Sequence, residues 1–345
     1  MTKAATIENH RFLVLLLIIA MLAAMIPVAV AVFPGPATAA NSDNMSASFT
    51  LGNSVPTIDQ VLITTHDNIT AAGPLSPQVE YIIKVQITDA NTLADLTTCN
   101  VTLFYDQDSD NDPGDIPSEN TTHAAKMVCN VNAGTFDLTP AGTSWAKGAD
   151  SECPATSVEQ GWFCFHITIG KIATQATNGW DIYVSVQDDE PGTPGSATLY
   201  SIKNLTMSFY GEVETSGASV DFGSVTAGTT YAAHEVTGKS VTYIANGAYD
   251  EQVAASAAWG AATLNTGDNP GANQFCLKAN DTADFGGAVQ VNDTGTYTTI
   301  DDTGLQTQLE IGDTPDTNTL WLRLGSPFTN ATYQGYIYFK VINGT

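Results

Sequence analysis

The sequence predicts an all-β fold, and three observations support this class. Thr, Val, Ile and Tyr, which favour half-buried strands, recur throughout the chain after the first 40 residues. Charged residues make up only 14% of the chain, so few of the ion pairs that stabilise exposed helices can form. Several segments alternate apolar and polar residues with period two, and turn clusters separate them. Short strands in this arrangement are typical of a sandwich or barrel.

The first 39 residues have the organisation of an export signal. Lys3 and Arg11 precede an apolar run over residues 12–33, and Ala37-Thr38-Ala39 forms a small-residue cleavage site. The 22-residue run is also long enough for a helical membrane anchor that is not cleaved, whereas the Ala-rich exit favours cleavage after Ala39. Under either interpretation, we expect the rest of the chain to be extracellular or displayed at the cell surface.

The strand and turn pattern of residues 40–210 predicts the first of two β-sandwich domains. In residues 79–88 the odd positions are apolar and the even positions are mostly polar, which indicates a strand with one buried face. The same alternation recurs at Phe163, Phe165, Ile167 and Ile169, with Cys164 and His166 on the opposite face, and again at Ile182, Val184 and Val186. Turn-forming Pro and Gly residues, such as those in 190–195, separate the strands.

Residues 211–345 predict the second β-sandwich domain. Its candidate strands begin near Gly211, include residues 240–245 and end in a long final strand over residues 333–342. The boundary lies at 211 because a new series of strand and turn signals begins there.

Two short motifs resemble known modules. Residues 48–60 resemble the opening of Ig-like modules in secreted surface proteins of archaea and bacteria. The matching positions are Phe49, Asn53, Pro56 and Ile58. Residues 221–228, Asp-Phe-Gly-x-Val-x-x-Gly, followed by Asn246-Gly247, are similar to the openings of other Ig-like modules in envelope proteins. The resemblance implies two Ig-like sandwiches used for display, adhesion or assembly, and it implies no enzymatic activity.

All five cysteines follow the leader, and an oxidising compartment therefore predicts disulfides. Proximity in sequence favours the pairs Cys99–Cys129 and Cys153–Cys164, although four cysteines allow three connectivities. Cys276 lies in an apolar segment. We interpret it as a buried small residue, and the alternative is an intermolecular bridge.

The formal net charge of −25 restricts the partners. Such a chain repels nucleic acid and anionic lipid, so we expect no nucleic-acid binding and membrane contact only through an uncleaved N-terminal segment. Nine Asn-x-Ser/Thr sequons after the leader make the chain a candidate glycoprotein. They begin at Asn44, Asn68, Asn100, Asn120, Asn204, Asn280, Asn292, Asn330 and Asn343.

The acidic loop after the strand that ends at Tyr105 is the sharpest motif. Alternating carboxylates in a tight loop can converge on Ca²⁺, which takes about six to eight oxygen ligands. The spacing does not fit an EF-hand, since Asn111 stands where Gly is required and Pro117 where the closing Glu belongs. The alternative is a solvated acidic turn. The candidate calcium ligands are Asp106, Asp108, Asp110, Asp112 and Asp115.

A second acidic group, Asp188-Asp189-Glu190, ends a predicted strand. It can join the same cation site or another one, and the alternative is ordinary loop acidity.

The sequence contains no catalytic motif. The histidines form no HxH or HExxH motif, and a Gly-x-Ser-x-Gly elbow is absent. His166 lies opposite an apolar strand face and is predicted to be exposed. We therefore predict that the protein is not an enzyme.

An export signal, strand-and-turn sequence and the lack of a catalytic motif together predict a structural component of the cell envelope. It would associate with itself or with other envelope proteins in a filament or surface layer. In one version, residues 45–51 add as a strand to a neighbouring sheet. The alternative is a calcium-dependent adhesin or a carbohydrate-binding module. In that alternative, the tryptophans would form a sugar-stacking surface; otherwise they belong to the core. They are Trp145, Trp162, Trp180, Trp259 and Trp321.

Overall fold

The protein is all-β, as the sequence predicts. The computed structural model describes residues 48–49, 52–106, 122–141, 143–188, 195–215, 219–228, 230–235, 241–301 and 318–344. Within these ranges the chain forms 21 β-strands and two short 3₁₀ turns, with no α-helix. All of the strands lie in the compact unit Gly52–Thr345.

Two antiparallel sheets form the first sandwich. Its strands are β1 (Thr57–Thr65), β2 (Glu80–Thr88), β3 (Leu96–Tyr105), β4 (Ala124–Asn130), β5 (Thr135–Thr139), β6 (Ala146–Lys147), β7 (Gln160–Thr168), β8 (Ala176–Asp188) and β9 (Ser196–Met207). One sheet has the order β1-β2-β7-β6 and the other has the order β5-β4-β3-β8-β9. The alternation over residues 79–88 produces β2, whose buried side chains contribute to the core between the sheets.

The remaining strands surround a second hydrophobic core, and we refer to this group of strands as the second sandwich. They are β10 (Gly211–Thr215), β11 (Ala232–Glu235), β12 (Val241–Ala245), β13 (Tyr249–Ala255), β14 (Ala258–Trp259), β15 (Ala262–Leu264), β16 (Gln274–Asn280), β17 (Val289–Gln290), β18 (Asn292–Asp293), β19 (Thr298–Asp301), β20 (Thr319–Leu324) and β21 (Ile337–Asn343). Its largest sheet has the order β11-β20-β16-β15-β14, with β17 beside β16. Strand β13 pairs with β21 on one side and with β18 and β19.

Four of the five tryptophans are buried, which supports their interpretation as core residues. Trp145 and Trp180 belong to the first core, Trp259 belongs to the second, and Trp321 is buried on β20. Trp162 is half-buried, and the Lys84 ammonium lies 5.2 Å from the centre of its ring.

A membrane-spanning helix is not found in the part of the chain that the structure describes. The predicted leader, residues 1–39, lies outside the described residues.

The buried side chain of Asn246 connects the two sandwiches. Its Nδ2 donates hydrogen bonds to the carbonyl oxygens of Ala173 (2.9 Å) and Ser208 (2.8 Å), and its Oδ1 accepts one from the Tyr210 amide (2.7 Å). The Asn246 carbonyl also accepts from the Gln175 amide at 2.8 Å. One fully buried amide thereby satisfies backbone groups on both sides of the junction.

The residue after Asn246 must be glycine for the junction to close. A Cβ atom at Gly247 would lie 2.3 Å from Oε1 and 2.9 Å from Cβ of Gln175. The backbone of the second sandwich therefore approaches the first one more closely than a side chain would allow.

The disulfide prediction is wrong in its pairing. The structure joins Cys129 to Cys153 and leaves Cys99 and Cys164 as thiols. Strand β7 directs Phe163 and Phe165 into the core, so Cys164 lies on the opposite face of the strand, away from Cys153, which packs against that core. Cys99 lies directly across the β3–β4 ladder from Cys129. Cys129 nevertheless bonds to Cys153, which lies in the segment that runs beside β7, and the disulfide therefore links the two sheets.

Cys276 is fully buried, as one of the two interpretations predicts. Its sulfur lies 3.3 Å from the hydroxyl of Tyr231.

We predict that Asn246→Ala lowers the free energy of unfolding by about 3 kcal/mol, because one buried and two partly buried backbone groups lose their partner. Chemical denaturation measures this value. The control is Asn132→Ala at an exposed turn, which should change stability by less than about 0.5 kcal/mol. Equal stability of the two variants would contradict the role of Asn246.

For the disulfide, we predict that Cys153→Ser lowers the free energy of unfolding by about 3 kcal/mol, because the bridge closes a loop with a sequence separation of 24 residues. Cys164→Ser should have little effect. Peptide mapping without reduction should recover Cys129 joined to Cys153, and a peptide that joins Cys153 to Cys164 would refute the pairing.

Candidate functional site

Only one residue of the predicted calcium loop is described. Asp106 is buried at the end of β3, and its Oδ2 accepts a hydrogen bond from the Tyr200 hydroxyl at 3.3 Å. The same hydroxyl lies 3.2 Å from Oδ2 of Asp181. Burial and these two carboxylates raise the pKa of Tyr200, so its hydroxyl stays protonated as a donor. The other four candidate ligands, Asp108, Asp110, Asp112 and Asp115, lie outside the described residues, and calcium binding by this loop stays a prediction.

A different carboxylate cluster lies at one end of the first sandwich. Asp89 follows β2, Asp95 ends a 3₁₀ turn (Leu93–Asp95), and Asp188 is the last residue of β8. One carboxylate oxygen of each lies within 4.8 Å of the other two. Asp89 and Asp188 are each only 1% exposed. The two sheets therefore bring three acidic side chains into one largely buried group.

Neighbouring loops orient two of these carboxylates. Asn53 Nδ2 donates to Asp188 Oδ2 at 2.9 Å, and the Gly195 amide donates to Asp188 Oδ1. The Asn91 amide donates to Asp89 Oδ1 at 2.8 Å. The cluster thus lies where three loops meet, and donors from these loops orient Asp89 and Asp188.

Buried oxygen atoms of the cluster lack a hydrogen-bond donor among the described residues. Examples are Oδ2 of Asp89 and Oδ1 of Asn53. Desolvation raises the pKa of Asp89, as does the charge of Asp188, while the hydrogen bond from the Asn91 amide opposes the rise. A buried oxygen without a donor is destabilising by about 1–3 kcal/mol. Either a proton or a cation would remove this penalty.

The donor set indicates the class of cation that these residues could hold. Carboxylate and amide oxygens suit hard cations such as Ca²⁺ and Mg²⁺, whereas zinc sites mostly contain nitrogen or sulfur. Four side chains can supply oxygen ligands: Asn53, Asp89, Asp95 and Asp188. Because Ca²⁺ accepts irregular geometry with waters in the remaining positions, it fits this group better than Mg²⁺, which requires a near-ideal octahedron.

Sequence reasoning found one member of this cluster and missed the others. Asp188 was a candidate cation ligand, and the structure places it here; Asp189 and Glu190 lie outside the described residues. The sequence does contain a signal for Asp89, since this residue directly follows the alternating segment 79–88 and so lies at the end of a predicted strand. That position alone does not identify a site, because the sequence does not reveal that β2 and β8, in opposite sheets, end at the same side of the sandwich.

The prediction that His166 is exposed is wrong. The residue is 8% exposed, although it lies on the outer face of β7. The loop at Gly148 covers it, and a Cβ atom at Gly148 would lie 2.5 Å from His166 Cβ. Only the absence of a side chain at Gly148 lets this loop cover the strand so closely.

The second sandwich contains a groove of about 800 Å³ with a different chemistry. The rings of Tyr231, Phe285 and Trp321 line it together with Lys278 and Arg323. The Lys278 ammonium lies 5.4 Å from the centre of the Phe285 ring and 5.6 Å from that of Tyr231. Arg323 Nε is buried, and no described residue accepts a hydrogen bond from it. Aromatic faces and two cations thus meet on one surface of an acidic chain.

Comparison with known proteins identified no relative: no protein-family model matches the sequence, and no curated protein matches it significantly. The assignment of function therefore depends on the residues themselves.

We predict that Ca²⁺ raises the melting temperature of the wild-type chain, because a cation satisfies Asp89 Oδ2 and screens the three carboxylates. At a concentration 100-fold above the dissociation constant, the gain in stability is about 2.7 kcal/mol. Asp89→Asn should abolish this shift and should melt above the wild type in chelator, since it removes one of the repelling charges. Calorimetry in EDTA and in calcium chloride measures both effects.

The control for this prediction is Asp150→Asn, which removes an exposed carboxylate from the same sandwich and should retain the calcium shift. Identical melting of the wild type with and without Ca²⁺ would contradict the site.

Proposed function

We propose that the protein is a secreted structural protein of the cell envelope that assembles, through its N-terminal segment, into an extracellular filament or surface layer. The observation that carries this proposal is Phe49, whose side chain is 92% exposed. A large aromatic side chain that its own chain leaves exposed is available for burial against a partner, and aromatic residues are enriched in protein–protein interfaces.

The sequence around Phe49 has the pattern of a strand. Met45, Ala47, Phe49 and Leu51 alternate with Ser46, Ser48 and Thr50. An extended segment with this pattern presents one apolar face and one polar face, which suits addition to the edge of another sheet. Burial of a Phe side chain alone contributes about 1.5–3 kcal/mol. The segment therefore has the chemistry of a strand that pairs with a second copy or with another envelope protein.

The carboxylate cluster contacts residues 52–54, which directly follow this segment in the chain. The Asn91 side chain donates to the Gly52 carbonyl at 3.3 Å and accepts from the Ser54 amide at 2.7 Å. Asn53 in turn contacts Asp188. We propose that Ca²⁺ bound at the cluster holds residues 52–54 in place and thereby orients the assembly segment that precedes them. Calcium would then promote assembly as well as stability.

The proposal retains two Ig-like domains, residues 40–210 and 211–345, after the leader. Two separate hydrophobic cores support it, since the first contains residues up to Met207 and the second begins with Phe209 and Val213. Surface display with glycans is compatible with several sequons, because Asn68, Asn204, Asn330 and Asn343 are exposed. Asn280 is different: it is buried, and its side chain donates to the Asp284 carbonyl, so it would not carry a glycan.

The groove at Tyr231 favours a second candidate function, the binding of an acidic carbohydrate. A sugar ring could stack on the exposed Phe285 side chain while Lys278 and Arg323 bind its carboxylate. The Lys278 ammonium already lies 3.1 Å from Asp268 Oδ1, so a sugar carboxylate would have to compete with this ion pair. This activity would make the protein an adhesin, and it does not exclude assembly.

To test assembly, we predict that Phe49→Ser abolishes filaments or arrays in electron micrographs of the purified chain in calcium, while the melting temperature stays within about 2 °C of the wild type. The reason is that Phe49 supports contacts between copies and not the fold of its own chain. Removal of residues 40–51 should have the same effect.

The matched control is Ile69→Ser, which removes another highly exposed apolar side chain, 86% exposed, from a turn. It should assemble like the wild type. Unchanged assembly of Phe49→Ser would refute the proposal, and a monomeric wild-type chain that binds acidic polysaccharide would favour the adhesin.

A further inference from the structure

Three side chains form a second, chemically different cluster on the outer face of the first sandwich. Glu80 begins β2, His166 lies on β7, and His66 directly follows β1. The strand registers place them in a row, since Thr65 pairs with Tyr81 and Ile82 pairs with His166. Side chains alternate between the faces of a sheet, so these three residues point to the same, outer side.

The donor atoms of the three side chains are close to one another. Glu80 Oε1 lies 2.7 Å from Nδ1 of His166 and 3.1 Å from Nδ1 of His66. All three donor atoms lie within 4.8 Å of each other. In a tetrahedral zinc site, ligand atoms about 2.0–2.1 Å from the metal are separated by about 3.3 Å. To reach this separation, Glu80 Oε1 and His166 Nδ1 would move apart by about 0.6 Å, and Glu80 Oε1 and His66 Nδ1 by about 0.2 Å.

Two of the three side chains are held in place by the fold. The His166 side chain is 10% exposed, and its backbone amide donates to Ser151 Oγ at 3.1 Å. The loop from Gly148 to Ser151 covers His166, and a Cβ atom at Gly148 would also lie 3.0 Å from Glu80 Oε1. Glu80 and His166 are thus oriented before any ligand arrives, which lowers the free energy cost of binding.

The third side chain is exposed but belongs to an ordered turn. The His66 side chain is 67% exposed. Asp67 Oδ1 accepts hydrogen bonds from the amides of Ile69 (3.0 Å) and Thr70 (2.9 Å), which fixes the turn after His66. The site consequently has a solvent-facing side through which a metal with bound water can enter.

We propose that His66, Glu80 and His166 form a three-ligand site for a divalent transition metal such as Zn²⁺, with a fourth position open to solvent. Two imidazole nitrogens and one carboxylate oxygen are a donor set that zinc uses in proteins, and they differ from the all-oxygen set at Asp89. The site is independent of the assembly proposal. Glu80 and Asp89 lie at opposite ends of the nine-residue strand β2, about 30 Å apart.

The test is a titration of the full chain with Zn²⁺ by calorimetry, with Ca²⁺ present in excess so that carboxylate clusters are occupied. We expect one zinc ion per chain at this site. His66→Asn should lower the affinity at least tenfold, because even the loss of a supporting partner outside the ligand set costs about 10–100-fold. His66 is exposed, so this variant should fold; Glu80→Gln provides a second ligand variant.

The matched control is His123→Asn, which removes another imidazole from the same sandwich and should bind zinc like the wild type. Cobalt provides a spectroscopic check, since Co²⁺ in a tetrahedral nitrogen and oxygen site absorbs in the visible range without the charge-transfer band that a thiolate adds. A thiolate charge-transfer band would show that the metal binds at Cys164. Equal zinc affinity of the wild type and His66→Asn, or a thiolate band in the cobalt spectrum that accounts for the bound ion, would overturn the proposal.

Discussion

Phe165 of β7 meets Phe136 of β5 edge to face, with ring centres 5.4 Å apart, and this contact joins the two sheets of the first sandwich. The burial of apolar faces between these sheets determines where the other features of this half lie. It brings the end of β2 beside the end of β8, where Asp89 and Asp188 meet. It also brings Cys153 to Cys129. Loss of this packing would separate the carboxylates and the cysteines together.

The buried carboxylates of the first sandwich are of two kinds. Asp181 Oδ1 accepts hydrogen bonds from the amides of Lys203 and Asn204, and its other oxygen lies near the Tyr200 hydroxyl. The protein itself thus satisfies Asp181, which indicates a structural role. Asp89 keeps one buried oxygen for which the described part of the chain supplies no donor, beside a second carboxylate, and this difference makes its cluster the better candidate for a cation. Acidity alone does not separate the two cases.

Much of the fold followed from the sequence, and parts of the candidate sites did not. The alternation over residues 79–88 predicted β2, and the alternation from Phe163 predicted β7 with Cys164 on its outer face. The same pattern turns Cys164 away from the core, but the sequence does not reveal that Cys153 packs against that core, so it does not exclude a bridge between them. The prediction that His166 is exposed was wrong for another reason. The loop at Gly148 covers the outer face of β7 at that point.

The sequence by itself determined the all-β class and the inward face of several strands, because period-two alternation is a local property that needs no knowledge of neighbours. Only the tertiary structure decided which side chains meet. The row of His66, Glu80 and His166 depends on the order and register of three strands, and the group of Asp89, Asp95 and Asp188 depends on the packing of two sheets. Strand order and register arise from the burial of side chains far apart in the chain, so no short segment contains them.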